Sequence, residues 1–463
     1  MYKSILVNKS NPFKEKYLKN VELIETKDIY NNNVKVEKDA YEAFLKLKDF
    51  CSNLGYEIGI ASALRSFDEQ KETYDYYCSR FGQDYCDKYV ADVGCSEHHT
   101  GLAIDFYIKE NGKYPEDDTK IINFDLYREI HKYLKDFGFI LRYPEGREDI
   151  TGYNYEAWHI RYVGKFIANI IYENDLTLEE YKDNYSGVIV INKEKGMTSY
   201  DVVEKIKRLF GIKRVGHTGT LDPLAEGVLI VCIGNACKIV ELLTSNDKEY
   251  IAGVKLGIKT DSYDIEGKVL EENLVNDYDL EEVLNHFNKT YLQEVPIYSA
   301  VKVNGKKLYD YAREGLEVEL PKKEVTIKEI ELLEKDNNTF IFRALVTKGC
   351  YIRSLINDIG NYLGCGAIMT SLIRTKQGNV SIEDSYKLAD IENGSYKIYS
   401  ISDVLDYKKV IVDPELEFKI SNGMILDDKW NIDDRVMFFN ENNKLLGIYE
   451  KLDDKLIVWK NFK

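Results

Sequence analysis

The sequence predicts a multidomain α+β protein, and three observations support that fold class. The chain has 463 residues, which suggests about three domains at roughly 150 residues each. Hydrophobic residues make up 44% of the chain and charged residues 31%, proportions that are ordinary for a soluble globular protein. Helix-like and strand-like patterns alternate up to about residue 400, and short strands with turns follow. We place the domains at residues 1–185, 186–400 and 401–463.

Helices and strands alternate in the first predicted domain. Apolar periodicity predicts helices over 38–54, 68–80, 124–137 and 163–172, and strand-like runs cover 57–61 and 102–108. Gly55 and Gly138 follow the first and third of these helices, at the position where glycine ends a helix. The polar, acidic segment 174–187 (NDLTLEEYKDNYSG) predicts a boundary between domains.

The remaining patterns predict a mixed domain followed by a β-rich module. Strand-like runs cover 188–191, 249–256 and 340–347, and helical patterns cover 200–209 and 352–363. From about residue 401 the runs VIVDP, NGMIL, VMFFNENNKLLGIYE and KLIVWK alternate short strands with turns. The NENN between two apolar runs predicts a hairpin.

Charge and cysteine content limit the classes of function. A formal net charge of −16 argues against a protein that coats nucleic acid nonspecifically, because phosphate binding needs a basic surface. Local basic residues remain for phosphate contacts: Lys205, Lys207, Arg208, Lys213, Arg214, Lys302 and Arg374. No apolar run approaches the ~20 residues of a membrane span. Eight cysteines without a CxxC motif predict free thiols in a reducing cytoplasm.

Two of the six histidines form a pattern with nearby carboxylates. His98 stands in the run SEHHTGLAID, which ends at Asp105, and His159 ends the run EAWH. Two imidazoles and one carboxylate leave a fourth position open, which is the ligand set of a catalytic zinc ion. Such a site also needs a carboxylate that takes a proton from the bound water, and Glu156 is the natural candidate. A histidine taken alone more often caps a loop or packs in a core.

Both runs resemble the VanY-like D-alanyl-D-alanine carboxypeptidases, whose SxHxxGxxxD and ExxH motifs they match. The resemblance covers about residues 4–182 and includes the segments ASALRS and LRYPEGREDITGYNYEAWHIRYVG. It implies an α+β zinc D,D-peptidase domain and a peptidoglycan peptide or precursor ending in D-Ala as substrate. The zinc ligands that it implies are His98, Asp105 and His159.

Further roles follow from the same resemblance. Glu156 is implied as the general base, and Arg65 as the group that stabilises the oxyanion at the scissile carbonyl. Ser96 and Gln70 match positions that line the site. Because neighbouring side chains of a strand point to opposite faces, His99 is expected to support the site from behind or to lie at the surface.

Two departures from the family pattern concern substrate choice. Ala63-Leu64 replaces Gly-Tyr, and Ala157 replaces Pro, although neither change removes a ligand. A different-class alternative is a domain that binds or positions RNA without catalysis. The intact Glu156 argues against it, since binding alone requires no base.

The segment GHTGTLDPLAEG, residues 216–227, is dense in glycine and places Asp222 before a proline. Glycines allow a ligand to approach the backbone closely, and Pro223 biases Asp222 towards an extended conformation. The segment alone is compatible with a phosphate-binding loop or a tight structural turn, although the Lys-Ser/Thr of a Walker motif is absent.

This segment resembles the GHxGxLDPxAxG loop of the TruB-like tRNA pseudouridine-55 synthases, which carries the catalytic aspartate of that family. Further segments match in order along the chain: KEKGMTS (193–199), KEY (248–250), LG with TDSYDIEG (256–267), VPIYSAVK (295–302) and TKGCYIRSL (347–355). Family residues are replaced within the matched segments by Glu194, Glu226, Ser262, Val295, Thr347 and Cys350.

The resemblance implies a mixed α/β synthase domain around an antiparallel sheet, a PUA-like C-terminal module, and the tRNA T-loop as substrate. Asp222 is implied as the catalytic carboxylate, which either attacks the sugar or adds to the base. Arg353 is implied to pair with Asp222, and Tyr250 to stack on the flipped base. His217 and Lys348 are implied in substrate binding, and no cofactor is required.

The sequence therefore predicts a cytoplasmic fusion of two enzymes, which we expect to be a monomer. One enzyme isomerises a tRNA uridine without a cofactor, and the other is a zinc carboxypeptidase. A gene-joining error is the remaining alternative, and the mass of the native protein decides it.

Overall fold

The computed structural model describes residues 2–462 and divides the chain into two compact units. The first unit comprises Met1–Tyr185 with Lys205–Lys213, and the second comprises Ser186–Glu204 with Arg214–Lys463. Both units combine helices with sheets, which confirms the predicted α+β class. Within the described residues, no helix is both long enough and apolar enough to cross a membrane.

The first unit is built on a small antiparallel sheet with helices around it. Its strands are β1 (Leu23–Lys27), β2 (Asn33–Glu37), β3 (Ile58–Ser62), β4 (Ala103–Ile108), β5 (Phe139–Leu141) and β6 (His159–Tyr162). Its helices are α1 (Lys38–Asn53), α2 (Phe67–Phe81), α3 (Gln83–Tyr89), α4 (Phe124–His131), α5 (Glu148–Thr151), α6 (Lys165–Glu173) and α7 (Leu178–Asn184). The central sheet has the order β3-β4-β6-β5, and β1 pairs with β2.

Helix α1 follows the predicted pattern closely. The side chain of Glu37 caps its first turn by accepting a hydrogen bond from the backbone N–H of Ala40. Its buried residues recur at helical spacing and face the sheet: Ala40, Ala43, Phe44, Leu47 and Cys51. They join one apolar core with residues of β4, among them Ile104 and Phe106.

The helix predicted over 124–137 is interrupted. Helix α4 ends at His131, and a separate 3-10 turn covers Leu134–Phe137 before Gly138. Tyr133 lies between them with φ −108° and ψ −6°, and its ring packs against Phe50 with centroids 4.8 Å apart. The predicted helix is therefore two shorter elements.

The segment 174–187, predicted as a domain boundary, contains helix α7. Thr177 and Glu180 form a reciprocal capping box at its start. Leu178 and Tyr181 are buried on one side of the helix, and Glu179 is buried with them. The segment therefore forms ordered structure in the first unit, and one of its carboxylates lies in the interior.

A disulfide joins Cys78 in α2 to Cys86 in α3, so the expectation of free thiols is wrong for this pair. Gly82, with φ +87°, reverses the chain between the two helices and brings the cysteines together. Within residues 2–462, the other six cysteines form no disulfide: Cys51, Cys95, Cys232, Cys237, Cys350 and Cys365.

The second unit contains the remaining elements, together with the first part of α8. Its strands are β7 (Gly187–Lys193), β8 (Val215–His217), β9 (Glu226–Ile233), β10 (Lys248–Leu256), β11 (Ile258–Thr260), β12 (Val269–Glu272), β13 (Thr290–Glu294), β14 (Lys302–Val303), β15 (Lys306–Lys307), β16 (Lys322–Asp336), β17 (Thr339–Val346), β18 (Ala367–Gln377), β19 (Val380–Ser381), β20 (Lys408–Ile411), β21 (Leu426–Asp427), β22 (Arg435–Phe439), β23 (Leu445–Leu452) and β24 (Lys455–Asn461). Its helices are α8 (Ser199–Phe210), α9 (Val240–Ser245), α10 (Leu280–Phe287), α11 (Leu308–Glu314), α12 (Ile352–Leu363), α13 (Leu388–Glu392), α14 (Ile401–Val404) and α15 (Pro414–Ser421).

Two sheets organise the second unit. The large sheet has the order β13-β16-β17-β10-β18-β9-β7, with β8 on β9 and β19 on β18, and only the β9–β18 pair is parallel. The C-terminal sheet has the order β20-β22-β23-β24-β21, and the predicted NENN hairpin is confirmed between β22 and β23. Val190 and Val228 of the large sheet share one apolar core with Met437 and Ile448 of the small sheet.

Candidate functional sites

In the first unit, strand pairing brings together the residues predicted to bind a metal. Asp105 on β4 and His159 on β6 are direct partners in an antiparallel pair, so their side chains share one face of the sheet. His98 lies in a 3-10 turn, Glu97–Thr100, that precedes β4. Ser96 caps this turn by accepting a hydrogen bond from the backbone N–H of His98 at 3.3 Å.

The three side chains converge closely. His98 Nε2 lies 3.0 Å from Asp105 Oδ2, and His159 Nδ1 lies 2.9 Å from Asp105 Oδ1. One ligand atom from each residue lies within 4.8 Å of the other two. His98 and His159 are buried, and their rings meet edge to face with centroids 5.0 Å apart. Two nitrogens and one carboxylate oxygen in this arrangement can hold a divalent metal ion.

A backbone carbonyl fixes the orientation of His98. Its Nδ1 lies 2.6 Å from the carbonyl oxygen of Ala63. Because a carbonyl only accepts hydrogen bonds, Nδ1 carries a hydrogen, and Nε2, on the side of Asp105, is the nitrogen that can bind a metal ion. The contact uses the main chain of Ala63, so the departure from the family residue at this position leaves it intact.

The electrostatics of the cluster suit a cation. Burial alone would raise the pKa of Asp105, but His98 and His159 hold it well below its usual range. Burial lowers the pKa of His159, but the hydrogen bond with Asp105 and the charges of the nearby carboxylates outweigh it and raise that pKa to about 9. A proton on His159 thus balances the carboxylates, and a divalent cation among the ligand atoms would take its place. Burial also raises the pKa of Glu156, to about 8.

A cleft of about 340 Å³ contains the three ligands together with the other residues predicted for this site. Arg65 donates hydrogen bonds to Gln70 Oε1 and Ser62 Oγ, each at 2.9 Å, so its guanidinium is held in one direction. Gln70 is anchored in turn by donating to the carbonyl of Ala91 at 2.6 Å. Glu156 Oε2 lies 3.7 Å from His159 Nδ1. The predicted residues therefore line a single cleft.

Sequence reasoning missed two supporting residues of this cleft and left two positions open for a third, His99. His99 is buried and supports the site from behind: its Nδ1 lies 2.8 Å from the carbonyl of Arg65, and its Nε2 accepts from the N–H of Gly94. His131 Nε2 lies 2.8 Å from the carbonyl oxygen of Ala157, two residues before β6 begins at His159. Glu97 is fully buried beside His159. The sequence offered one signal for Glu97, which is its position in SEHH directly before the candidate ligand His98.

In the second unit, two hydrogen-bonded contacts hold the GHTGTLDP loop. Ser199 Oγ accepts from the N–H of Leu221 at 2.8 Å and donates to its carbonyl at 3.1 Å. The N–H of Gly196 donates to the carbonyl of Pro223 at 2.8 Å. The matched segment KEKGMTS therefore positions the residues on either side of Asp222.

Arg353 joins Asp222 to the rest of this site. Its Nη2 lies 2.9 Å from Asp222 Oδ2, and its Nη1 lies 3.5 Å from Asp264 Oδ2. The same guanidinium donates to the carbonyls of Ser262 and Tyr298 at 3.2 and 3.0 Å. Arg353 is nearly buried at the start of α12, whereas the side chain of Asp222 is 38% exposed. A fixed cation thus orients a carboxylate that remains accessible.

Tyr250 and Arg374 are direct partners in the β10–β18 pair. Burial raises the pKa of Tyr250, while Arg374 acts in the opposite direction as a nearby cation and hydrogen-bond donor. Arg374 is only 1% exposed, so the expectation that it contacts RNA phosphates is wrong. It donates instead to the carbonyls of Val228 (2.6 Å) and Gly219 (3.2 Å). Sequence reasoning had no signal for this structural use of a basic residue.

The other predicted residues of this site lie around the same loop. His217 ends β8, and its Nδ1 accepts from the N–H of Gly219 at 3.3 Å. Lys348 is exposed in the loop between β17 and α12. Burial, with the charges of Arg374 and Lys348, lowers the pKa of Lys248 to about 8. Basic side chains thus gather beneath and beside the loop. Among the basic residues predicted to contact phosphates, Arg214 and Lys302 of this unit are exposed.

Three family models match the chain. A D-alanyl-D-alanine carboxypeptidase model matches residues 33–165. A model described as "TruB family pseudouridylate synthase (N terminal domain)" matches residues 207–352, and a "tRNA pseudouridylate synthase B C-terminal domain" model matches residues 353–411. Both resemblances read from the sequence are confirmed.

Individual proteins match the two parts separately. The tRNA pseudouridine synthase B of Fusobacterium nucleatum is 44% identical over 283 residues, which cover 57% of this chain and 99% of that protein. The protein of the same name from Clostridium tetani is 42% identical over 278 residues, covering 59% and 94%. A solved mutant of the vancomycin-resistance D,D-pentapeptidase VanY, in complex with Zn(II), is 30% identical with a TM-score of 0.34, covering 39% and 99%.

Proposed function

Since the chain belongs to the tRNA pseudouridine synthase B family, we propose that its second unit isomerises a uridine in the T-loop of tRNA, with Asp222 as the catalytic carboxylate. The observation that carries this proposal is the 2.9 Å pair between Asp222 and the buried Arg353. Arg353 is fixed, whereas Asp222 is exposed, and a catalytic carboxylate must be exposed to reach its substrate. No cofactor is part of the proposal.

The residues around Asp222 match the needs of the reaction. The bond between N1 of uracil and C1′ of ribose breaks and a bond between C5 and C1′ forms; C5 loses its proton and N1 gains one, so the product is an isomer of the substrate. Asp222 acts as a carboxylate whether it attacks C1′ or adds to the ring, and the Arg353 guanidinium 2.9 Å away orients it. The target base must leave its stack, and Tyr250 offers a ring for it to stack on. His217 and Lys348 hold the extruded nucleotide and its backbone.

A transcript assay tests this function. The purified chain is incubated with unmodified tRNA, and pseudouridine is mapped by chemical labelling and primer extension. We expect conversion of one T-loop uridine, its loss in Asp222→Asn, and no change in Asp277→Asn, whose carboxylate is almost fully exposed. Substantial conversion by Asp222→Asn would contradict the role of this residue. Conversion of a uridine outside the T-loop would contradict the substrate.

The chain also carries a VanY-type domain, and we propose that it is a zinc-dependent D-alanyl-D-alanine carboxypeptidase acting on peptidoglycan peptides. The carrying observation is the buried His98–Asp105–His159 cluster within a cleft that also contains Glu156 and Arg65. Zinc bound there would acidify a water molecule and polarise the scissile carbonyl.

The residues of the chain have separate tasks in this hydrolysis. Glu156 accepts a proton from the water, whose oxygen joins the carbonyl carbon, and delivers it to the nitrogen of the departing D-Ala as the C–N bond breaks. Arg65, held by Gln70 and Ser62, donates to the developing oxyanion. Ser96 keeps the His98 turn in place and, with Gln70, lines the cleft.

Metal analysis and D-Ala release test the peptidase. We expect one zinc ion per chain and release of D-Ala from a pentapeptide that ends in D-Ala-D-Ala. Glu156→Gln should retain zinc and lose hydrolysis, whereas Glu145→Gln, at an exposed carboxylate, should retain both. Bound zinc without release from the pentapeptide, or from the tetrapeptide lacking the last D-Ala, would support the alternative of a non-catalytic binding or RNA-positioning module.

We propose that the chain acts in the cytoplasm, where tRNA is available, and that it is a monomer. Intact-mass analysis with peptide mapping of the native protein should find both units in one polypeptide, and light scattering should give the mass of one such polypeptide. Two separate polypeptides in the native source would contradict the fusion, and a multiple of that mass in solution would contradict the monomer.

A further inference from the structure

Two buried polar atoms face each other behind the candidate metal cluster. Glu97 Oε2 and His159 Nε2 lack hydrogen-bond partners among the described residues. They lie 3.8 Å apart, and both side chains are buried. His159 turns its other nitrogen, Nδ1, towards Asp105 at 2.9 Å. One nitrogen thus faces the ligand atoms and the other faces Glu97.

The second oxygen of Glu97 is firmly held. Glu97 Oε1 accepts from Arg161 Nη1 at 2.6 Å and from Arg142 Nε at 2.8 Å. The side chains of both arginines are completely buried. Arg161 is fixed further by donating to the carbonyls of Lys3 and Ile5. Two arginines on one oxygen leave the other oxygen directed at His159.

The network extends to helix α7. Arg142 Nη1 and Nη2 bind both oxygens of Glu179, at 2.9 and 2.6 Å. The Nδ2 of Asn8 donates to Glu179 Oε1 at 3.0 Å. Two carboxylates and two guanidinium groups therefore form a neutral, buried network that runs from α7 to the imidazole of His159. Burying four charges costs desolvation energy, so the network is a poor device for stability alone.

We propose that Glu97 is a positioning residue for the metal site: it accepts a hydrogen bond from His159 Nε2–H and so directs Nδ1 to the metal, while Glu179 sets Glu97 through Arg142. This inference rests on the proposed zinc site. A carboxylate that orients a ligating imidazole in this way fixes its tautomer and strengthens it as a ligand. Helix α7, which lies in the segment predicted as a domain boundary, thereby helps to support the metal site.

Zinc affinity of the full-length chain tests the proposal. A chromophoric chelator in competition gives the affinity, and the cobalt(II) form gives a d–d spectrum that reports ligand geometry. We expect Glu97→Gln to weaken zinc binding by about 10–100-fold and shift the cobalt spectrum, and Glu179→Gln to weaken it less, by at least about threefold. Glu180→Gln is the matched control, because Glu180 is the next residue of α7 but binds Arg147.

Unfolding temperatures of the zinc-free proteins separate positioning from folding. Where Glu97→Gln does not fold, Glu97→Asp and Glu179→Gln provide the test. Wild-type affinity and an unchanged cobalt spectrum in the folded Glu97 variant, with one zinc in the wild type, would contradict this inference alone. So would an equal loss of affinity in Glu180→Gln. A wild-type chain that binds no zinc would contradict the proposed peptidase as well.

Discussion

Arg353 Nη2 lies 2.9 Å from Asp222 Oδ2, and the guanidinium is held in that position by the carbonyls of Ser262 and Tyr298. The pair therefore depends on the planar fork of arginine as well as on its charge. A lysine keeps a positive charge but cannot donate in these directions together.

Arg353→Lys should consequently slow the chemical step more than it weakens tRNA binding. A displaced carboxylate costs about 100-fold in rate, while we expect the Kd for tRNA to change by less than about threefold. Single-turnover kinetics and filter binding measure the two quantities. A rate equal to that of the wild type would show that the fork is not needed.

Arg374 is expected to act on the geometry of the synthase site and not on RNA phosphates. In the described part of the chain it pairs with no carboxylate, and it links the partner strand of Tyr250 to the carbonyl of Gly219. Arg374→Met should lower the single-turnover rate by about 100-fold and leave the salt dependence of tRNA binding unchanged. Lys376→Met, at an exposed position of the same strand, is the control. A shallower salt dependence in Arg374→Met would instead indicate a phosphate contact.

Metal removal should separate the two activities. The ligands His98, Asp105 and His159 lie in the first unit, whereas Asp222 and Arg353 lie in the second, where no cofactor is proposed. Dialysis against a chelator should abolish D-Ala release and leave the rate of pseudouridine formation within about twofold, because one reaction needs a Lewis acid and the other does not. Re-addition of zinc should restore the release. Loss of both activities on chelation would contradict independent sites.

Asp358 is expected to make stability depend on pH. Burial, with the nearby charge of Glu294, raises the pKa of Asp358 to about 6, against a usual value of 3.8. The folded protein therefore binds this proton more tightly than the unfolded chain. The stabilisation is present in full below pH ~4 and is lost as the pH rises through about 6.

Asp358→Asn removes the loss of stability that accompanies ionisation of Asp358. The Tyr291 hydroxyl lies 3.1 Å from Asp358 Oδ2, and the amide oxygen of the asparagine can still accept its hydrogen bond. Relative to the wild type, the variant should gain about 1–2 kcal/mol at pH 8, after allowance for partial exposure, and nearly nothing at pH 4. Thermal unfolding at both values measures this difference, with Asp277→Asn as the control. A gain of equal size at pH 4 and pH 8 would show that the titration of Asp358 is not the cause.

The candidate site residues could be predicted from the sequence more readily than the residues that hold them in place. The candidate ligands and catalytic side chains stand in long motifs, so His98, Asp222 and Arg353 could be predicted by pattern. The supports depend on pairing between strands far apart in sequence: Arg374 reaches Gly219 only because β18 pairs with β9 and β10. Local composition also gave no sign of burial, since the acidic segment around Glu179 was predicted only as a domain boundary but supplies a buried partner for Arg142. Charge and polarity along the chain do not reveal which side chain a fold will bury.

The central claim is that one polypeptide carries two independent catalytic sites, and paired initial rates of a single preparation test it most directly. Pseudouridine formation in tRNA and D-Ala release from the pentapeptide are measured for the wild type, Asp222→Asn and Glu156→Gln. We expect the wild type to show both activities. Asp222→Asn should show only D-Ala release, and Glu156→Gln only pseudouridine formation. A wild type with one activity alone, or a variant that loses both, would contradict it.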